Sequence, residues 1–414
     1  MGCTVTNQFA ALVGLLWAQT IAGYNGVAWA NMASAAIERL RRTRRTAAGR
    51  TSLSGKLLAG PGKVAPEDRV AQNRTMSLSR WLFWNPIEKR LRAGWRILIY
   101  TLLWIFAPAV VARLIGSWLA MPLISVLPTV AGLAPHAVAV MLKLVVVLLV
   151  TWGAALWLDR RPVTDYGLRL SAHWWLDFAF GLALGATLMA FVFLVEWLAG
   201  WIVVTDLFRV ALPGVRFAAA MMGGVLLFVV VGITEELLAR GDHLRNLAEG
   251  FHGLVGGPRR ALVLAWLLSS SFFGLLHIFN PNATWQSTLA LMVAGLLLGF
   301  GFVLTGSLAI PIGLHISWNF FQGNVFGFPV SGNLFDSATV FTIEQRGPTV
   351  WTGGAFGPEA GLLGLIAMLL GAVLILLWVR WRYGVARLQA RLAIYPSLDE
   401  QVVQAIKPVE IGDW

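Results

Sequence analysis

Residues 218–243 read AAAMMGGVLLFVVVGITEELLARGDH, an apolar run that ends on two adjacent carboxylates, Glu235 and Glu236, with Arg240 one turn further on. An ionisable group at membrane depth is costly, so it faces a protein interior or a wet cavity. At 3.6 residues per turn, Glu236 and Arg240 share one helix face and can pair, while Glu235 points about 100° away. One carboxylate can therefore be structural while its neighbour stays free for chemistry.

The rest of the chain fits a membrane setting. Of 414 residues, 57% are hydrophobic and 13% charged, with a mean hydropathy of +0.71. Apolar runs at about residues 97–119, 137–158, 176–201, 216–238, 261–281, 287–305, 308–327 and 361–381 approach the roughly 20 residues that cross a hydrocarbon core as helix. The expected fold is all-α, a polytopic transmembrane bundle of about eight core spans. A net charge of +12 would suggest nucleic acid in a soluble protein. Here the arginines flank spans, no nucleic-acid motif is present, and the basic stretches EKRLRAGWR (88–96), DRRPVTDYGLR (159–169), RGDHLRNLAEGFHGLVGGPRR (240–260) and RWRYGVARLQAR (380–391) fall on alternate loops. The positive-inside rule then puts both ends of the eight-span set in the cytoplasm, in the inner cell membrane. Twenty tryptophans suit interfacial anchoring. The single cysteine, Cys3, excludes an internal disulfide framework.

Residues 1–75 stand apart. An apolar stretch at 9–36 precedes RLRRTRRTAAGR (39–50) and a Gly-, Pro- and charge-rich linker that cannot form a core. Its charges follow the apolar run, which fits an additional N-terminal helix with its start outside rather than a signal peptide. MGCTVT matches the acylation pattern at Gly2, and Met76 is an alternative start. Residues 76–382 form the expected membrane domain, and 383–414 a short cytoplasmic tail.

Two further places break the apolar pattern: FFGLLH (272–277), ending on His277, and HISWN (315–319), with His315 and Asn319. Phe273 and His277, like His315 and Asn319, are i and i+4 and project to one side. Glu235 and His277 lie equal numbers of residues either side of Gly256, so a helical hairpin turning there brings them level, provided that the hairpin reaches beyond the bilayer. His315, counted from Leu308, lies about 10 Å inside. Each polar group alone reads equally well as an interhelical hydrogen-bond partner or buried ion pair; three at similar depth suggest a shared site. There is no His-Glu-x-x-His motif, no Gly-x-Ser-x-Gly elbow and no Walker loop. The inverted repeats and paired broken segments of a transporter are also missing.

Glu-Glu-x-x-x-Arg (235–240), Phe-x-x-x-His (273–277) and His-x-x-x-Asn (315–319), in this order, resemble the CPBP or Abi family of CAAX prenyl endopeptidases and bacteriocin-processing enzymes. The stretch DYGLRLSAHWWLDFAFGLALG (165–185) is also similar to family sequence. The resemblance covers about residues 97–382. It implies a helical intramembrane endopeptidase whose site opens to the cytoplasm and whose substrate is a membrane protein or lipidated peptide.

Peptide hydrolysis needs an activated water, an oxyanion site and a proton for the leaving amine. Glu235 is the expected general base, His277 holds and polarises the water, and His315 with Asn319 donates to the oxyanion. Glu236, Arg240 and Phe273 give structural support. Helix rotation would exchange the two glutamates. Glu235, His277 and His315 also make a set for Zn²⁺ with an open position, and the sequence leaves both mechanisms open. The readings from other classes are a transporter and a non-catalytic immunity or interaction factor.

Overall fold

The computed structural model describes residues 82–126 and 134–395, apart from 87, 212, 213 and 336. The N-terminal apolar stretch, Gly2, Met76 and the end of the tail lie outside the described residues.

Helix occupies all eight apolar stretches. The helices are α1 (Ala93–Val126), α2 (Ala134–Gly153), α3 (Ala172–Leu198), α4 (Phe217–Glu236), α5 (Arg245–Phe251), α6 (Pro258–Leu275), α7 (Trp285–Thr305), α8 (Ala309–Phe320) and α9 (Leu362–Tyr383). Six segments among the described residues are long and apolar enough to cross a membrane: Ala93–Gly116, His136–Leu158, Ala172–Leu198, Phe217–Phe251, Trp285–Thr305 and Leu362–Tyr383. The two remaining stretches hold α6, which opens on Pro258, Arg259 and Arg260, and the 12-residue α8.

The fourth span is longer than its apolar run. It was expected to end near residue 238, yet α4 passes through a π-helical segment, Leu237–Leu244, into α5 without a break. Its polar residues stay inside the protein because distant parts of the chain satisfy them. Glu249 Oε2 takes Arg90 Nη2 at 2.7 Å and Glu249 Oε1 takes Arg161 Nη2 at 2.5 Å. Asp159 accepts from Arg96 at 2.8 Å and from the Tyr166 hydroxyl at 2.6 Å. This buried charge network ties the start of α1 and the loop after α2 to α5. Removing one member of such a network is costly, because the partner is left charged and dry.

The α8 helix is the centre of the bundle, with Ala309 to Trp318 all buried. It lies against α3 at backbone distance through small residues, as membrane helices often do. A Cβ on Gly181 would come within 2.5 Å of the Ile310 carbonyl, and one on Gly313 within 2.3 Å of the Phe178 carbonyl.

Two connections expected as loops pair instead. Strands β1 (Ile202–Val210) and β2 (Ala338–Gln345) run antiparallel, from Ile202 opposite Gln345 to Val210 opposite Ala338, with a register shift between Val204 and Asp206. The sheet is small, and the fold remains a helical bundle. After α9 the chain packs back rather than leaving as a tail: Gln389 donates its N–H to Val303 O at 2.8 Å, and Leu392 and Ala393 are buried.

Candidate active site

The last turn of α4 separates its two carboxylates. Glu236 is fully buried, and its Oε1 accepts from Arg240 Nη1 at 2.8 Å and faces His315 Nδ1 at 2.8 Å. Arg240 also donates to Gly295 O at 2.7 Å, and its guanidinium lies 4.7 Å from the centre of the Phe273 ring. Glu235 has 19% of its side chain exposed, and its Oε2 is 4.0 Å from His315 Nε2. The helix widens to π geometry directly after this pair, a deviation frequent at functional sites. Side-chain donors from other helices reach carbonyls there, Trp104 Nε1 to Thr234 O at 3.0 Å and Ser269 Oγ to Ala239 O at 2.8 Å.

His277 lies in the turn that follows α6. Its Nδ1 is 2.8 Å from the Phe273 carbonyl. A carbonyl only accepts, so Nδ1 carries the proton and Nε2 of the neutral ring is a lone pair. Phe273, itself buried, packs against both imidazoles, with ring centres 5.1 Å from His277 and 5.9 Å from His315. That explains the phenylalanine of the Phe-x-x-x-His spacing: it braces three polar groups at once.

Glu235, His277, His315 and Asn319 all border one cavity of about 160 Å³, and Phe273 forms part of its wall. Glu236 and Arg240 stand behind it. Apolar side chains such as Val231, Leu298 and Met368 complete the lining.

Residues 217–321 match the family model described as type II CAAX prenyl endopeptidase Rce1-like. This part of the chain is similar to that family. Every motif residue from Glu235 to Asn319 lies within the matched stretch. No curated protein and no solved structure matches the chain. The family is one of endopeptidases, and the six candidate spans fit a multi-pass membrane protein.

The site does not supply the zinc shell that the sequence left as one of two possibilities. Among the described residues no three His, Cys, Asp or Glu side chains are grouped closely enough to hold a metal ion. Glu235, His277 and His315 share a cavity without forming such a set.

The cavity also has polar residues from two loops on its border. Asn280 comes from the loop after α6, and Ser331, Asn333 and Glu359 from the connection between α8 and α9. Both loops lie at the opposite end of the bundle from the arginine-rich segments. Toward the arginines the Rce1-like site is closed by Leu237, Leu238, Ala239 and Arg240, each at most 1% exposed.

Glu359, outside the Rce1-like match, is a cavity residue that sequence reasoning missed. Its Oε1 accepts from Ser331 N at 2.5 Å, and its Oε2 from Gln322 Nε2. Burial pushes its carboxyl up to about 7, although these donors oppose the shift. The one signal in the sequence is an isolated acid in a glycine-rich turn, GPEAG (357–361), just before the last span.

Proposed function

We propose that the protein is an intramembrane endopeptidase in which Glu235 activates water to hydrolyse a peptide bond of a membrane-associated substrate. The observation that carries this reading is the division of labour in the acid pair: Glu236 is committed to Arg240 and His315, while Glu235 faces the cavity beside His315 Nε2.

In this mechanism Glu235 takes a proton from water, and the hydroxide attacks the scissile carbonyl. The Nε2 lone pair of His277 accepts the second hydrogen of that water and fixes its position. The tetrahedral oxyanion receives a hydrogen bond from the Asn319 amide. His315, whose Nδ1 faces the Glu236 carboxylate, contributes a second donor when its Nε2 carries a proton. Collapse of the intermediate breaks the C–N bond, and Glu235 returns its proton to the leaving amine. The products are a carboxylate and a free amine.

The substrate is a membrane protein or a lipidated peptide whose apolar part sits against the cavity's aliphatic wall. Its approach is from the face opposite the arginine clusters, a reading supported by the loops that border the cavity and by the closed side beneath Glu236. Under the positive-inside rule that face is extracytoplasmic.

The test uses purified, folded protein carrying Glu235→Gln, His277→Ala or His315→Ala, with cleavage of membrane proteins from a deletion strain as the readout. Each is expected to lower cleavage by about 10²-fold or more. Wild-type rates in all three would remove the hydrolase.

A further inference from the structure

A second cavity, of about 520 Å³, lies at the arginine-rich end of the bundle and shares no lining residue with the first. It is formed by the start of α3 and the loop before it, by the α7–α8 connection and by the chain that packs back after α9. Five arginines line it, Arg169, Arg245, Arg382, Arg387 and Arg391, against two acids, Asp165 and Asp177.

Both acids are already engaged. Asp165 pairs with Arg169 at 3.2 Å and with Arg245 at 3.8 Å. Asp177, only 1% exposed, accepts from Trp378 Nε1 at 2.9 Å and from the Tyr383 hydroxyl. Among the described residues no carboxylate pairs with Arg382 or Arg387. Arg382 donates to His173 Nδ1, and its own Nε is buried without a hydrogen-bond partner. Burial and the nearby Arg169 guanidinium hold Arg391 below the ordinary arginine range, while Asp165 opposes the shift.

The surroundings indicate which anion this basic cavity would meet. Exposed apolar and aromatic side chains stand beside the cavity: Leu170 is 61% exposed, Trp175 53%, Trp381 75% and Val385 52%. Such a border is that of a membrane interface, where tryptophan sits at headgroup level and anionic lipids meet basic pockets between helices. Planar guanidinium groups match phosphate oxygens in pairs.

We propose that this cavity binds the phosphate of an anionic phospholipid headgroup, held by Arg382, Arg387 and Arg391, with the acyl chains leaving past Trp175 and Trp381. The site is separate from the peptidase cavity, and the inference stands without the proposed reaction.

The experiment uses the full chain in phosphatidylcholine mixed micelles, titrated with phosphatidylglycerol or, separately, with inorganic phosphate, and reads thermal stability and lipid retained in native mass spectra. Phosphatidylglycerol is expected to raise Tm saturably. The R382Q/R387Q pair is expected to weaken its apparent affinity by about 10-fold or more, and R382K/R387K, which keeps the charge but loses the planar fork, to weaken it less. The R259Q/R260Q pair, which removes two exposed charges on α6 away from the cavity, is expected to bind as wild type. Saturation by inorganic phosphate at the same concentrations would overturn the lipid assignment. An equal loss in the R259Q/R260Q pair, or full retention in R382Q/R387Q, would show surface attraction in place of a site.

Discussion

His315 lies between the two glutamates, with Nδ1 2.8 Å from Glu236 Oε1 and Nε2 4.0 Å from Glu235 Oε2. One ring therefore joins a buried structural carboxylate to a cavity-facing one, and the two acids should respond differently to the same substitution. Glu236→Gln leaves Arg240 fully buried without its counter-ion and should cost about 3–5 kcal/mol of stability. Glu235→Gln should shift Tm little and lower cleavage by about 10² to 10⁴. Chemical denaturation and single-turnover cleavage, run side by side, separate the two; the reverse pattern would make Glu236 the base.

Close approach of α8 to α3 sets the position of His315. Gly313→Ala places a methyl group within 2.3 Å of the Phe178 carbonyl, so the helices must separate. The expected cost is about 1–3 kcal/mol, with loss of cleavage at temperatures where the variant is still folded. A Gly313→Ala protein of wild-type Tm and rate would contradict the observed packing.

Glu359 gives a pH dependence of known sign. Its carboxyl titrates at about 7 in the folded protein against 4.5 ordinarily, so the folded state binds the extra proton between those values. Stability should therefore fall as pH rises from about 4.5 to 7 and level off above, by an amount on the order of 3 kcal/mol. In Glu359→Gln that part of the slope should vanish. A slope unchanged in the variant would assign it to other groups.

Access can be read by labelling. In a Cys3→Ser background, Leu334→Cys, 68% exposed near the cavity mouth, should react in intact cells with a membrane-impermeant maleimide. Arg387→Cys should react only after permeabilisation. Labelling of Leu334→Cys solely after permeabilisation would place the mouth on the cytoplasmic face.

Much of the site was legible because helical spacing alone fixes which side chains share a face. Glu236 with Arg240 and Phe273 with His277 follow from i,i+4 geometry, and the apolar runs locate all the long helices. What escaped depends on distant partners. The polar stretch 240–249 has the composition of a loop, yet it is helical and buried because Arg90, Arg96, Arg161 and Asp159 reach it from far along the chain. Glu359 escaped for a related reason: Ser331, Asn333 and Glu359 border the cavity from a connection with no periodic pattern. β1 and β2 lie apart in sequence, with no turn signal joining them.

A single oxygen, Glu236 Oε1, serves donors from two directions, Arg240 on its own helix and His315 on α8. Turning α4 about its long axis would break at least one of these bonds, so the oxygen acts as a rotational lock. Glu235 then inherits its aim from its neighbour, and the acid that meets the cavity is held in register by the acid that never does.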